Sequence, residues 1–203
     1  MFGFNSEEMR VFRKLSTPEK IQNFLETIPI NFETEGETML SPRSVLREKR
    51  AHCFEGALFA AAAFWVHGEK PLVLVLRTTD EDEDHAIALF NKFGCWGAVT
   101  KTNHAVLRYR EPIYKTFREL VISYFHEYFV ESGKKTLREY TQPLDLSAKR
   151  FEGWTISESK TRCVDGALNQ GRFFPLLNKK QIRLLRPADP IEIKAGKLVE
   201  WKG

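Results

Sequence analysis

The chain has 203 residues, 42% of them hydrophobic, which is long enough to bury a core and short enough to favour a single domain. Its 31 basic and 27 acidic residues leave a formal charge of +4 with no basic stripe, which argues against nucleic acid as a partner. Cys53, Cys95 and Cys163 are an odd number without a CxxC pair, so free thiols in a reducing compartment are expected rather than a disulfide framework or a structural zinc site.

The opening residues MFGFNSEEMRVFRKL mix charges among apolar side chains and lack a signal-peptide core. No stretch approaches the ~20 apolar residues of a membrane span, so the expectation is a cytoplasmic protein with no membrane partner. Residues 6–28 read as amphipathic helix, the later part opening with Thr17 as N-cap and Pro18 at the first helical position. Pro29 ends it, and Ser41-Pro42 repeats the signal for a short basic helix through Arg50. Residues 53–67 are apolar nearly all round, the mark of a central helix, with Gly68 as its stop. PLVLVLRT at 71–78 suits a buried strand. After the acidic loop 80–84, His85 opens a second strand, HAIALF, which turns into a third, CWGAVTK, as an antiparallel hairpin. Aromatics at helical spacing predict one long helix over 113–130. Residues 141–159 read as irregular, 161–169 as a short helix, and PIEIKAGKLVEWKG as a hairpin turning at Ala195-Gly196. The expected organisation is one α+β domain, with a core over about 15–145 and a C-terminal extension over 146–203 that either covers a cleft or completes the core.

The chemistry centres on Cys53. A thiol in the first turn of a helix meets unpaired N–H groups and the positive end of the dipole, both of which favour thiolate. The basic residues Arg47, Lys49, Arg50 and His52 add positive potential, with His52 behind the reacting pair. A cysteine opening a helix, then a strand, a histidine on the next strand and a polar residue on the one after is the chain order of papain-like and transglutaminase-like folds. His85 is the candidate general base. Asn103 is the first choice to orient its imidazole, Thr100 the next and Asp84 the third, with Thr102 also near the strand end. Glu55 fits a helix cap or buried ion pair and is also a candidate to line the cleft. Arg108 and Arg110, on either side of Tyr109, are candidates to clamp a substrate carboxylate or phosphate, or else brace a loop. His104 lacks an evident orienter, and His67 and His126 carry no pattern. No spacing calls for a metal, and no cofactor is expected.

The segments AHCFEGALFAAAA, DEDHAIALF and CWGAVTKTNHAVLRYREPIYKTFRELVISYF resemble a group of uncharacterised bacterial proteins in the transglutaminase-like cysteine protease superfamily, over about residues 15–145. The superfamily motif is a cysteine opening a helix, a histidine opening a strand and an aspartate shortly after a tryptophan. Cys53, His85-Ala86 and Trp96 match, whereas GAVTKTN after Trp96 supplies no acid, which leaves the orienting role to Asn103 or Thr100. The resemblance implies a papain-like fold and acyl transfer through a thioester at Cys53, most simply hydrolysis of a peptide or small amide, with Trp96 among the substrate-facing residues. The rival expectation is a non-catalytic scaffold that binds an acidic partner through the surface around Arg108 and Arg110.

Overall fold

The computed structural model describes residues 2–34 and 36–202. Three short helices lead in: α1 (Ser6–Lys14), α2 (Pro18–Thr27) and α3 (Pro42–Glu48), with N-cap side chains from Asn5, Thr17 and Ser41. Each cap oxygen accepts from a first-turn N–H that has no partner within its helix. Lys49 then adopts a left-handed backbone (φ 52°) and turns the chain directly into α4 (Cys53–Val66).

Helix α4 is the axle of the fold. Ala57 through Phe64 are almost completely buried, and α4 packs against α1, α2, α3 and two strands, β1 (Leu72–Arg77) and β2 (His85–Lys92). Ala57 and the run Ala60 to Ala63 let those neighbours approach closely, while Phe54, Phe59 and Phe64 fill the larger gaps. At Gly56 even a methyl group would collide, since an added Cβ would sit 2.4 Å from the Cβ of Lys101.

The remaining strands are β3 (Cys95–Val99), β4 (Arg110–Tyr114), β5 (Glu139–Thr141), β6 (Leu144–Asp145) and β7 (Phe173–Pro175). They form with β1 and β2 an open antiparallel sheet in the order β4-β3-β2-β1-β5-β7, with β6 also on β1. Val73, Ala86, Ala88 and Phe90 point toward α4, whereas Leu74, Leu76, Ile87 and Leu89 point to the opposite face. Both faces are covered, which is why these strands read as continuous apolar runs rather than as alternation.

The opposite face is closed by α5 (Phe117–Ile122), the 3₁₀ turn Phe125–Glu127 and Tyr128. The single helix expected over 113–130 is therefore not formed. Pro112 sits in β4, an edge strand, where its missing N–H does not break an interior ladder. Thr116 and Glu119 form a capping box that starts α5 only after that strand. The hairpin expected at the C-terminus is also replaced, by α8 (Pro190–Gly196), which follows α6 (Glu158–Asn169) and α7 (Lys179–Arg183). Asp189 as N-cap, Pro190 at the first position and Glu192 in the capping box outweigh the strand-like alternation of Ile191 and Ile193. Leu146, Phe151, Trp154, Val164 and Leu168 share the α4 core, so the region after residue 145 is part of the same packing unit. Among the described residues no helix is long and apolar enough to cross a membrane.

Candidate active site

Cys53 opens α4, so its N–H and those of its first-turn neighbours lack acceptors within the helix. His52 is the N-cap. Its Nδ1 accepts from the Phe54 N–H at 3.3 Å, while the Glu55 carboxylate reaches back to accept from the His52 N–H at 3.0 Å. Glu55 has no solvent exposure, and it also accepts from the Thr38 hydroxyl at 2.6 Å, the Leu40 N–H at 2.8 Å and Asn31 Nδ2 at 3.1 Å. Four donors on one buried carboxylate form a stiff knot under the first turn. Expected to cap a helix or form a buried ion pair, or else to line the cleft, Glu55 caps α4 and pairs with His52, and it is not among the cleft-lining residues.

In its neutral form His52 carries its proton on Nε2, which lies 3.3 Å from the Thr38 carbonyl and 3.4 Å from Glu55 Oε1. Burial opposes a charge on this imidazole, but the hydrogen bond to Cys53 and the Glu55 charge outweigh it and raise the pKa from 6.5 to about 9.

His85 begins β2 and is buried. Ala88 pairs with Val99, so Thr100, one residue beyond β3, lies diagonally across from His85 on the same face of the sheet. His85 Nε2 and the Thr100 hydroxyl share a short hydrogen bond, which leaves Nδ1 as the ring nitrogen able to serve the thiol. Thr100 is itself clamped by the buried Gln22 of α2, which accepts from its N–H at 3.1 Å and donates to its carbonyl at 3.0 Å. The partly buried Cys53 lines the same cleft as both imidazoles, and its sulfur lies 4.0 Å from the Asp84 carbonyl. Burial raises its pKa, yet the two histidines overcome that and bring it from 9.0 to about 5. A thiol pKa of about 5 favours the thiolate at neutral pH.

Asn103 does not fill the orienting position. Its amide forms a two-point bond with the backbone of Trp201, accepting from the N–H at 2.8 Å and donating to the carbonyl at 3.0 Å. Past the end of β3 the chain has left the sheet, so Asn103 fastens the C-terminal segment rather than the imidazole. Asp84 also points elsewhere, to the Thr78 N–H at 2.8 Å and to Arg77 at 3.0 Å, although its carbonyl lies 4.0 Å from the Cys53 sulfur.

Both arginines are already engaged. Arg108 pairs with Glu200 at 3.2 Å and Glu26 at 3.7 Å. Arg110 donates to Ser123, pairs with Glu127 and lies 4.0 Å from the centre of the Tyr124 ring. These contacts brace the loop and the 3₁₀ turn, and neither residue is a free clamp. Trp96 packs on Phe117 at 4.5 Å on the α5 side of the sheet and does not line the cleft. His104 Nδ1 donates to the Gly196 carbonyl at 3.0 Å, as part of the same C-terminal fastening.

The cleft has a volume of about 650 Å³, and its lining joins Cys53, His52 and His85 to Tyr128, Lys101 and the α8 residues Ile193 and Gly196. Lys101 is buried with Nζ on the carbonyls of Leu25 (2.9 Å) and Ile28 (2.6 Å), at the C-terminal end of α2. Burial lowers its pKa from 10.5 to about 8. Sequence reasoning understates His52 and misses Tyr128. His52 carries a signal, as the residue just before a helix-opening cysteine, whereas Tyr128 reads as one aromatic of a helical stripe. No model of a known protein family matches the chain, and no curated protein matches it.

Proposed function

We propose that the cleft around Cys53 performs thiol-dependent acyl transfer, with water as the default acceptor, so that the reaction is hydrolysis of an amide or peptide bond on a papain-like or transglutaminase-like plan. The observation that carries this reading is the Cys53 thiol at the N-terminus of a buried helix, in a cleft lined also by two imidazoles, one of them held by a hydroxyl. The thiolate attacks the carbonyl carbon, a C–S bond forms, and the carbonyl oxygen takes the electron pair. The Cys53 N–H donates to that oxygen. Collapse breaks the C–N bond as His85 gives its proton to the leaving amine. Water then attacks the thioester, His85 takes its proton, and a carboxylate leaves as the thiolate returns. His52, backed by the buried Glu55, supplies a standing positive charge beside the sulfur and takes no part in the proton shuttle.

The test is a panel of peptidyl and small-amide p-nitroanilides, read by p-nitroaniline release and by mass of the Cys53 peptide after acid quench. The expected result is an acyl adduct on Cys53, with release abolished in Cys53→Ser and reduced about 10²-fold or more in His85→Ala. Release that persists in Cys53→Ser would overturn the reading.

A further inference from the structure

Tyr128 is 3% exposed and lines the cleft, and its hydroxyl has no hydrogen-bond partner among the described residues. A buried donor left unpaired is costly, so such a group calls for an explanation in what the site binds. The nearby carboxylates do not provide its partner. Asp82 takes the Thr136 hydroxyl, and Asp84 takes Thr78 and Arg77. Tyr124 also has an unpaired buried hydroxyl, but it lies under Arg110 and outside the cleft lining.

The backbone around Tyr128 is held firmly. Its carbonyl accepts from the Thr136 N–H at 3.1 Å, and its ring belongs to the apolar cluster on the α5 face of the sheet, with Ile87 and Leu137. The preceding Glu127 is fixed by Arg110 and by the Leu107 N–H at 2.6 Å. Tyr128 therefore lines the cleft from the α5 side of the sheet, whereas Cys53 lines it from the α4 side. Burial, and after it the charge of Cys53, keeps the phenol protonated well above its ordinary range, so it acts as a donor and not as a base.

We propose that Tyr128 is the second donor of the oxyanion site, its hydroxyl bonding the carbonyl oxygen of an acyl substrate as that oxygen gains charge on attack by Cys53. This rests on Cys53 being the acylating nucleophile and adds to it a catalytic residue that accounts for the unpaired hydroxyl. The substrate class follows: a planar carbonyl, in which the oxygen turns toward Tyr128 as the carbon becomes tetrahedral.

Two reactions of the same thiol separate this role from others. Alkylation by iodoacetamide displaces iodide at a saturated carbon and develops no oxyanion. Acylation by p-nitrophenyl acetate forms the C–S bond through an oxyanion and then expels p-nitrophenolate. In Tyr128→Phe, which removes an oxygen with no partner, alkylation of the Cys53 peptide should stay within about 3-fold of the native rate, while acylation falls by about 10-fold or more. Equal losses in both reactions, or no loss in acylation, would overturn the assignment. An unmodified chain whose Cys53 alkylates with the pH dependence of a free thiol would instead sink the reading of the whole site, and the Tyr128 role with it.

Discussion

The wall of the cleft that carries Cys53 is buried to the first turn of α4, whereas the wall that carries α8 is fastened by polar contacts near the surface. On the first, Phe54, Glu55 and Ala57 are at most 7% exposed. On the other, Ile191, Leu198 and Val199 are 70%, 62% and 45% exposed, and the segment is held by Asn103, His104 and Arg108. Burial of a large apolar side chain contributes about 1.5–3 kcal/mol, and a typical exposed ion pair about 0–1 kcal/mol. The thiol is thus mounted on a deeply buried part of the molecule, and the C-terminal wall on a part that opens at lower cost.

Glu55→Ala should be the most damaging change to the buried wall. It leaves the His52 N–H, the Leu40 N–H and the Thr38 hydroxyl without their acceptor, and removes the counter-charge of His52. The expected loss is about 3–5 kcal/mol in urea unfolding. The thiol pKa should rise as well, and a variant that unfolds like the native chain would dissolve the contrast between the walls.

Thr100→Val and Asn103→Ala sharpen the comparison because the two residues are close in sequence but serve different walls. Losing the Thr100 hydroxyl frees the His85 ring, so alkylation of Cys53 at pH 6 should slow about 10-fold or more. Losing the Asn103 amide should leave that rate unchanged and speed amide exchange at Trp201 by about 5- to 30-fold, the equivalent of about 1–2 kcal/mol. The reverse pattern would restore Asn103 as the residue that orients the imidazole.

Stability against pH should follow the buried wall. The thiol's contribution is present above its unfolded value of 9.0 and is lost as pH falls through about 5. The His52 contribution is complete below 6.5 and is lost as pH rises through about 9. The two contributions offset each other between about pH 6.5 and 9, so native urea midpoints should stay level there and drop as pH falls from 6.5 through about 5, a drop that Cys53→Ser, which lacks the thiol, should not show. Arg108→Ala marks the small end of the scale, with less than about 1 kcal/mol from exposed pairs and no change in thiol reactivity.

The buried wall was the legible one. Thr17-Pro18 and Ser41-Pro42 announce α2 and α3, the all-round apolar face announces α4, and the order of Cys53 and His85 marks the candidate pair. These signals are local or set by burial. The choice of Thr100 over Asn103 depends on where β3 leaves the sheet and on a clamp from Gln22, 78 residues away in sequence, so no local pattern holds it. Tyr128 was hidden because aromatics at helical spacing also suit a strand, a short helix and a 3₁₀ turn in succession, the course the chain takes from Arg110 to Tyr128. The C-terminal helix was readable from Asp189-Pro190 and Glu192, but the alternation of Ile191 and Ile193 favoured a strand.

The pH dependence of Cys53 alkylation, measured on its own peptide in the native chain, in His52→Ala and in His85→Ala, tests the central claim most directly. A native midpoint near 5 that moves up in both variants is the expected result. A native midpoint near the 9.0 of an ordinary thiol, unmoved by either change, would contradict the paired thiolate on which the proposed chemistry depends.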